Sequence, residues 1–347
     1  MTILDSFRAR LARYAGASAV ALSLGVLALA APTPSLAEGK LRVAEQFGIV
    51  YLLLNVARDQ QLVEKHGKAL GVDIDVEWLR LSGGASVNDA LLSGSVDIAG
   101  AGVGPLLTIW DRTRGRQEVK GVASLGNFPY YLVSNNPAVK TIADFTDRDR
   151  IAVPAVGVSV QSRVLQLASA KLWGDSQFNK LDPITVALPH PDATAAIISG
   201  GTEITGHFGN PPFQEQELRD NKAAHIVLNS YDVLGGPSSA TVLFATKKFR
   251  EESPKTYAAF QAALAEAAAF VRDSPEKAAD TYLRVTGAKL DRDFLLTVIK
   301  NPDVQFKIEP QNTFALAEFM HRVGAIKNAP TSWRDYFFED AIIANGS

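Results

Sequence analysis

Asn88-Asp89-Ala90-Leu91-Leu92-Ser93-Gly94-Ser95-Val96-Asp97-Ile98-Ala99-Gly100 is the stretch on which the fold turns. Its first part has helical spacing, Gly94 stops the helix, and Val96 to Ala99 read as a short strand. The same grammar returns 106 residues later. Ala90-Leu91-Leu92-Ser93-Gly94 lines up with Ala196-Ile197-Ile198-Ser199-Gly200, Asp97-Ile98 with Glu203-Ile204, Gly100 with Gly206 and Pro105 with Pro211. Helix–Gly–strand units look alike in many α/β proteins, but sixteen gap-free positions ending in a proline loop point to a structural pseudo-repeat. Two similar α/β halves follow.

The flanking sequence supports this. Leu41 to Ala44 reads as a strand, Tyr51 to His66 as a helix ending at Gly67, Val72 to Leu79 as a strand and Ser86 to Leu92 as a helix. In the second block, Arg150 to Val153 is a strand, Ser159 to Leu172 a helix and Ile184 to Leu188 a strand. Asp192 to Ile198 is then a helix and Glu203 to Thr205 a strand. Strands alternating with helices predict mostly parallel sheets flanked by helices. Beyond Thr241–Thr246, a further strand, the chain turns helical. Tyr257, Phe260, Leu264, Ala267 and Val271 mark one face of a long helix, and Ser274-Pro275-Glu276 starts another in the N-cap, N1 manner. Helices over Asp291–Ile299 and Gln311–Val323 complete a tail that reads as a helical extension packed on the first half.

Composition narrows the function. The 347 residues contain no cysteine, which removes disulfide scaffolds, thiolate metal sites, iron–sulfur clusters and cysteine nucleophiles. With 35 basic against 37 acidic residues, no cationic surplus marks a nucleic-acid partner. The N-terminus has a basic start (Arg8, Arg10, Arg13), an apolar run from Ala15 to Ala31 and the small-x-small site Ser35-Leu36-Ala37. That layout predicts a secretory signal peptide over residues 1–37, cleaved before Glu38. The absence of an Arg-Arg pair argues against the twin-arginine route, and the absence of cysteine against a lipid anchor. The expected mature protein is free in the periplasm, with about 310 residues.

Few motifs carry chemistry. Gly157-Val158-Ser159-Val160-Gln161 follows a strand and opens a helix, one glycine short of the G-x-S-x-G nucleophile elbow. Three readings stay open: a serine hydrolase, a helix start whose N–H groups and Ser159 hydroxyl hold a polar or anionic group, or a plain helix cap with no ligand. Ser82-Gly83-Gly84 invites the second reading from the other half, because glycine lets a ligand come close to the backbone. Gly100, Gly102 and Gly104 match neither a dinucleotide fingerprint nor a P-loop, so no nucleotide cofactor is expected. The five histidines show no metal-binding spacing, and no metal is expected. His190-Pro191-Asp192 reads as a turn plus N-cap, and His207 as lining the crevice just after its strand. Asn210-Pro211-Pro212-Phe213 is a stiff loop suited to a binding wall. Phe47, Phe128 and Tyr130 read equally as wall or core.

Taken together, these segments resemble the substrate-binding proteins of ABC importers in the nitrate/sulfonate/taurine class, which includes thiamine-pyrimidine-precursor binders. The resemblance runs from Leu41 to about Phe338. It rests on Leu41–Ala44, Asn88–Ile98, Tyr131-Leu132-Val133, Thr141-Ile142-Ala143-Asp144-Phe145, Arg150–Pro154 and Ser199-Gly200. It implies a type II periplasmic-binding-protein fold, with lobe one at 38–128 plus 231–347 and lobe two at 129–230. It also implies a monomer, not an enzyme, that closes on a small polar or anionic ligand and delivers it to a permease and its ATPase. From the first lobe the resemblance assigns ligand contacts to Gln46-Phe47-Gly48, Ser82-Gly83-Gly84 and Gly102-Val103-Gly104. From the second it assigns Val158-Ser159-Val160-Gln161, His207 and Asn210. These loops contain no arginine or lysine, which leaves an anionic group to backbone N–H groups and Ser159. The loop Gly206-His207-Phe208-Gly209 departs from the acidic strand loop of many members. A serine-dependent hydrolase and a non-transport accessory or sensory subunit are the alternative functions.

Overall fold

The computed structural model describes residues 38–347, which form one compact unit; the expected signal peptide lies outside the described residues. The unit holds two five-stranded sheets. In the first, β1 (Lys40–Glu45), β2 (Asp75–Arg80), β3 (Ile98–Gly102) and β4 (Lys120–Asn127) are joined by a strand from far along the chain. The second is built from β5 (Tyr131–Ser134), β6 (Arg150–Val153), β7 (Thr185–Ala187), β8 (Ile204–Phe208) and β9 (His225–Asn229). The late strand of the first sheet is β10 (Ser239–Ala245).

The orders are β2-β1-β3-β10-β4 and β7-β6-β8-β5-β9. β1 runs parallel to β2 and β3, and β6 parallel to β7 and β8. β10 is antiparallel to β3 and β4, as β5 is to β8 and β9. The sheets are therefore topological copies. The repeat at an offset of 106 maps β3 onto β8 residue for residue, Ile98–Gly102 against Ile204–Phe208. The chain passes between the sheets twice, after Asn127 and after Asn229. The two passages are tied together: Tyr130 N–H donates to Ser230 Oγ (2.9 Å) and Ser230 N–H to the Tyr130 carbonyl (2.8 Å).

Thirteen helices flank the sheets of the described residues. In the first half these are α1 (Leu52–Asp59), α2 (Leu62–Ala69), α3 (Gly84–Leu92) and α4 (Val103–Thr113). The expected single helix from Tyr51 is broken where Gln61 adopts the left-handed conformation. Apolar spacing continues across the break, with Leu62 and Val63 buried, so periodicity alone hides it. Gly67 does not stop the helix. It lies inside α2, where a Cβ would come within 2.6 Å of Ile74 Cδ1.

The second half adds α5 (Val160–Trp173), α6 (His190–Ser199), α7 (Phe213–Asp220) and the short α8 (Ser230–Leu234). The tail supplies α9 (Lys247–Glu252), α10 (Pro254–Asp273), α11 (Pro275–Thr286), α12 (Arg292–Ile299) and α13 (Phe314–Arg322). Ser274 precedes α11 without a side-chain capping bond. The predicted face of α10 is buried, Phe260, Leu264 and Ala267 completely. α10 and α11 pack on α1 and α2, joined by Lys65–Glu266 (2.6 Å) and Arg284–Asp59 (2.5 Å). The tail also reaches the second half, through Arg322–Asp175 (2.6 Å) and the Arg219 guanidinium 4.0 Å from the Phe294 ring centroid. No helix among the described residues is long and apolar enough to cross a membrane.

Candidate functional site

In sheets of this kind, ligand sites form outside the carboxyl ends of the parallel strands. Here the loops after β1, β2 and β3 meet those after β6 and β8 in one crevice. The halves touch directly: Ile49 N–H donates to the Pro211 carbonyl (2.9 Å) and Asn210 Nδ2 to the Phe47 carbonyl (3.2 Å).

The expected glycines explain how the halves come so close. A Cβ on Gly83 would lie 2.3 Å from the Pro154 carbonyl oxygen, and one on Gly104 2.7 Å from that of Val158. A Cβ on Gly102 would meet Val160 at 2.8 Å, and one on Gly48 Asn210 Oδ1 at 2.6 Å. The family resemblance assigns Gly83 and Gly104 to a ligand. The structure instead spends their bareness on the opposing half.

What remains inside is a cavity of about 20 Å³, room for little more than one water. Eight of the fifteen expected residues line it: Gln46, Phe47, Gly84 and Gly102 from the first half, and Ser159, Val160, Gln161 and Asn210 from the second. Gly48 lines a neighbouring outer cavity. Ser82, Gly83, Val103, Gly104, Val158 and His207 line neither. Val103 and Gly104 are the first turn of α4 and are buried, so that segment is not a free loop.

Ser159 caps α5, its Oγ accepting from the Ser162 N–H (3.2 Å). Among the described residues no histidine is hydrogen-bonded to that hydroxyl, the contact that activates a nucleophilic serine. Asn210 Oδ1 is buried without a hydrogen-bond partner. Tyr51 donates to the Gly100 carbonyl (3.2 Å), Tyr130 pairs with Thr241 Oγ1 (2.5 Å), and burial pushes both phenols above their ordinary range. They are neutral, and no aspartate, glutamate, lysine or arginine lines the inner cavity.

His190, read from sequence as a turn, is part of this wall. α6 begins at His190 itself, with Pro191 in its first turn and no capping bond from Asp192. Behind it lies His207, which is inside β8 and fully buried, one hydrogen bond away from the cavity. Gln161 Nε2 can only donate, so His190 Nε2 accepts (3.3 Å). His190 Nδ1–H then donates to His207 Nε2 (2.8 Å), and His207 Nδ1–H to Glu217 Oε1 (2.5 Å). Thr194 donates to the same carboxylate oxygen (2.7 Å). Burial first, and the facing His207 second, push the His190 pKa well below its ordinary value. Phe213 stacks on the His190 ring at 5.7 Å.

The outer cavity shares Gln46, Phe47 and Tyr51 with the inner one but measures about 370 Å³. Arg80, Lys289, Asn55 and Tyr282 also line it. The site loops expected from sequence contain no cation. Arg80 was detectable as the last residue of β2, at a carboxyl strand end, whereas Lys289 comes from a turn after α11 that no local signal links to the crevice.

No family model and no curated protein matches the chain. Solved structures do. The alkanesulfonate-binding protein SsuA from Xanthomonas axonopodis pv. citri, bound to MOPS, is 18% identical with a TM-score of 0.64, over 84% of this chain and 96% of that one. The Candida albicans CA3427 gene product, described as having the generic periplasmic binding protein fold, is 13% identical with a TM-score of 0.62, over 84% and 92%. This chain has the periplasmic binding protein fold. The nitrate-binding protein NrtA from Synechocystis PCC 6803 is also similar, at 17% identity and a TM-score of 0.59, over 75% of this chain and 69% of that one. In a periplasmic binding protein fold, the inner and outer cavities both lie in the crevice between the two halves.

Proposed function

We propose that this protein is the solute-binding component of an ABC importer: a non-enzymatic periplasmic protein that captures a small polar or anionic organic molecule and delivers it to a membrane permease. The observation that carries this reading is the crevice itself. Two topologically equivalent sheets direct their strand ends at each other, and both contribute polar side chains to one small cavity. Lobe one would be residues 38–128 and 231–347, lobe two 129–230, hinged where Tyr130 and Ser230 bond to each other. Closure on a ligand that touches both lobes stabilises the closed state by its differential affinity.

The similar structures support the chemistry, since one binds alkanesulfonates and another nitrate. The leader read over residues 1–37 supports export. A ligand at 100 times its Kd adds about 2.7 kcal/mol to stability. Thermal unfolding of ligand-stripped protein against alkanesulfonates, taurine, nitrate, aromatic carboxylates and pyrimidines tests the reading. At least one class should raise the Tm by several degrees; no shift from any class at millimolar concentration would overturn it.

A further inference from the structure

The inner cavity, at about 20 Å³, admits no organic molecule in this closed arrangement, whereas the adjoining outer cavity has about 370 Å³, within the range of small-molecule sites. Its walls come from both halves. Four aromatic rings, Phe47, Tyr51, Phe213 and Tyr282, contribute to them, with Ile198 and Leu290 beside. The charged residues on the walls are both cations, Arg80 and Lys289.

These cations differ. Arg80 donates to Glu45 Oε1 (3.0 Å) and sits 5.7 Å from the Phe47 ring centroid, so its charge is already matched. Lys289 is exposed, and no ion pair or hydrogen bond is formed by it among the described residues. It is carried by the turn that follows the left-handed Gly287 at the end of α11. Deeper in, Asn55 is 1% exposed. Its Nδ2 donates to Glu45 Oε2 (3.1 Å), while its Oδ1 is buried without a partner. A buried acceptor left without a partner costs stability.

We infer that the outer cavity is a ligand site for an aromatic organic anion, a carboxylate or sulfonate, whose ring packs among Phe47, Tyr282 and Phe213 and whose charge is met by Lys289. This rests on the solute-binding reading and narrows its ligand class. Arg80 adds a second donor. The aromatic wall favours a ligand with a ring over a small hydrated ion such as nitrate, which has no apolar surface to bury there.

The test is calorimetric titration of wild-type, Lys289→Met and Ala195→Trp protein, unfolded and refolded to strip carried-over ligand. Ala195 is an exposed residue of α6 on the cavity wall, so tryptophan fills the space without disturbing the core. The probes are 2-naphthoate, uncharged 2-naphthamide and methanesulfonate. 2-Naphthoate should bind wild type at least tenfold more tightly than the amide, and each substitution should weaken it at least tenfold. Equal binding of acid and amide, or unchanged naphthoate binding by Lys289→Met, would overturn the inference. Methanesulfonate binding alone would overturn it too, while leaving the solute-binding reading intact. Failure of all three probes, together with the broader ligand panel, overturns both.

Discussion

His190 and His207 meet ring to ring inside the second half, His190 Nδ1 lying 2.8 Å from His207 Nε2. The pair links a crevice wall to a buried carboxylate. Gln161 donates to the cavity end and Glu217 accepts at the other, so each imidazole is held as the Nδ1–H tautomer. A proton gained by His190 would sit in a cavity wall that otherwise carries no charge.

The His190 pKa is lowered on folding, so the unfolded chain binds a proton that the native state does not. Its contribution to stability is intact above the unfolded value of about 6.5 and is lost as pH falls below it. Other buried groups titrate in the same region. Glu215, for example, is raised to about 7 by burial and acts in the opposite sense. The difference between wild type and His190→Gln cancels them. Urea unfolding at pH 7.5 and 5.5 should show wild type losing more stability on acidification than the variant. Parallel losses would place the proton uptake elsewhere.

Gly83 supplies a steric test of closure. A methyl group there would lie 2.3 Å from the Pro154 carbonyl oxygen across the crevice. The φ of Gly83 is extended, at −167°, so alanine fits its own backbone and the clash falls on the facing half. Gly83→Ala should therefore keep its Tm within a few degrees while losing at least tenfold in affinity for any ligand the crevice holds. Small-angle scattering should report a larger radius of gyration with ligand present than for wild type. Wild-type affinity would show that closure does not need this contact.

The tail is anchored by Phe337, which is fully buried against Gly121, where a Cβ would come within 2.3 Å of its ring. Its ring also meets Trp333 edge-on at 5.7 Å. Removing a buried phenylalanine costs roughly 3–5 kcal/mol. Phe337→Ala should lower unfolding stability by about that amount, with ligand affinity preserved in the folded fraction, since Phe337 is not a wall of either cavity. A loss below 1 kcal/mol in denaturant titration would mean the C-terminal segment contributes little.

Sequence carried those parts of the fold that are local. The 106-residue offset paired β3 with β8 in the right register, although both strands run three residues further than Ala99 and Thr205 where sequence ended them, and a strand followed by Ser159 found the start of α5. Each depends on short-range spacing and capping. The exchange of β10 and β5 between otherwise equivalent sheets is a pairing over long separations, and no periodicity encodes it. Gly83 announced close approach, but sequence cannot say whether ligand or protein does the approaching. His190 hid as a helix start because its partners, His207 and Gln161, are 17 and 29 residues away. Lys289 shares a wall with Arg80 only because α11 folds back on α1.

Ser159 separates the two chemistries left open by the Gly157-Val158-Ser159 motif. Its hydroxyl accepts from the Ser162 N–H, a capping bond, and lines the inner cavity without a hydrogen-bonded histidine among the described residues. Losing a serine cap costs about 1 kcal/mol. Ser159→Ala should therefore show that modest destabilisation and a modest, severalfold loss of ligand affinity, because the α5 N–H groups remain. A nucleophile behaves differently: its removal abolishes turnover by orders of magnitude while substrate still binds. Wild type and variant should be equally inert towards activated esters under conditions where calorimetry shows ligand bound. Ester hydrolysis that vanished only in Ser159→Ala would overturn the binding role and require a base that this hydrogen-bonding pattern does not supply.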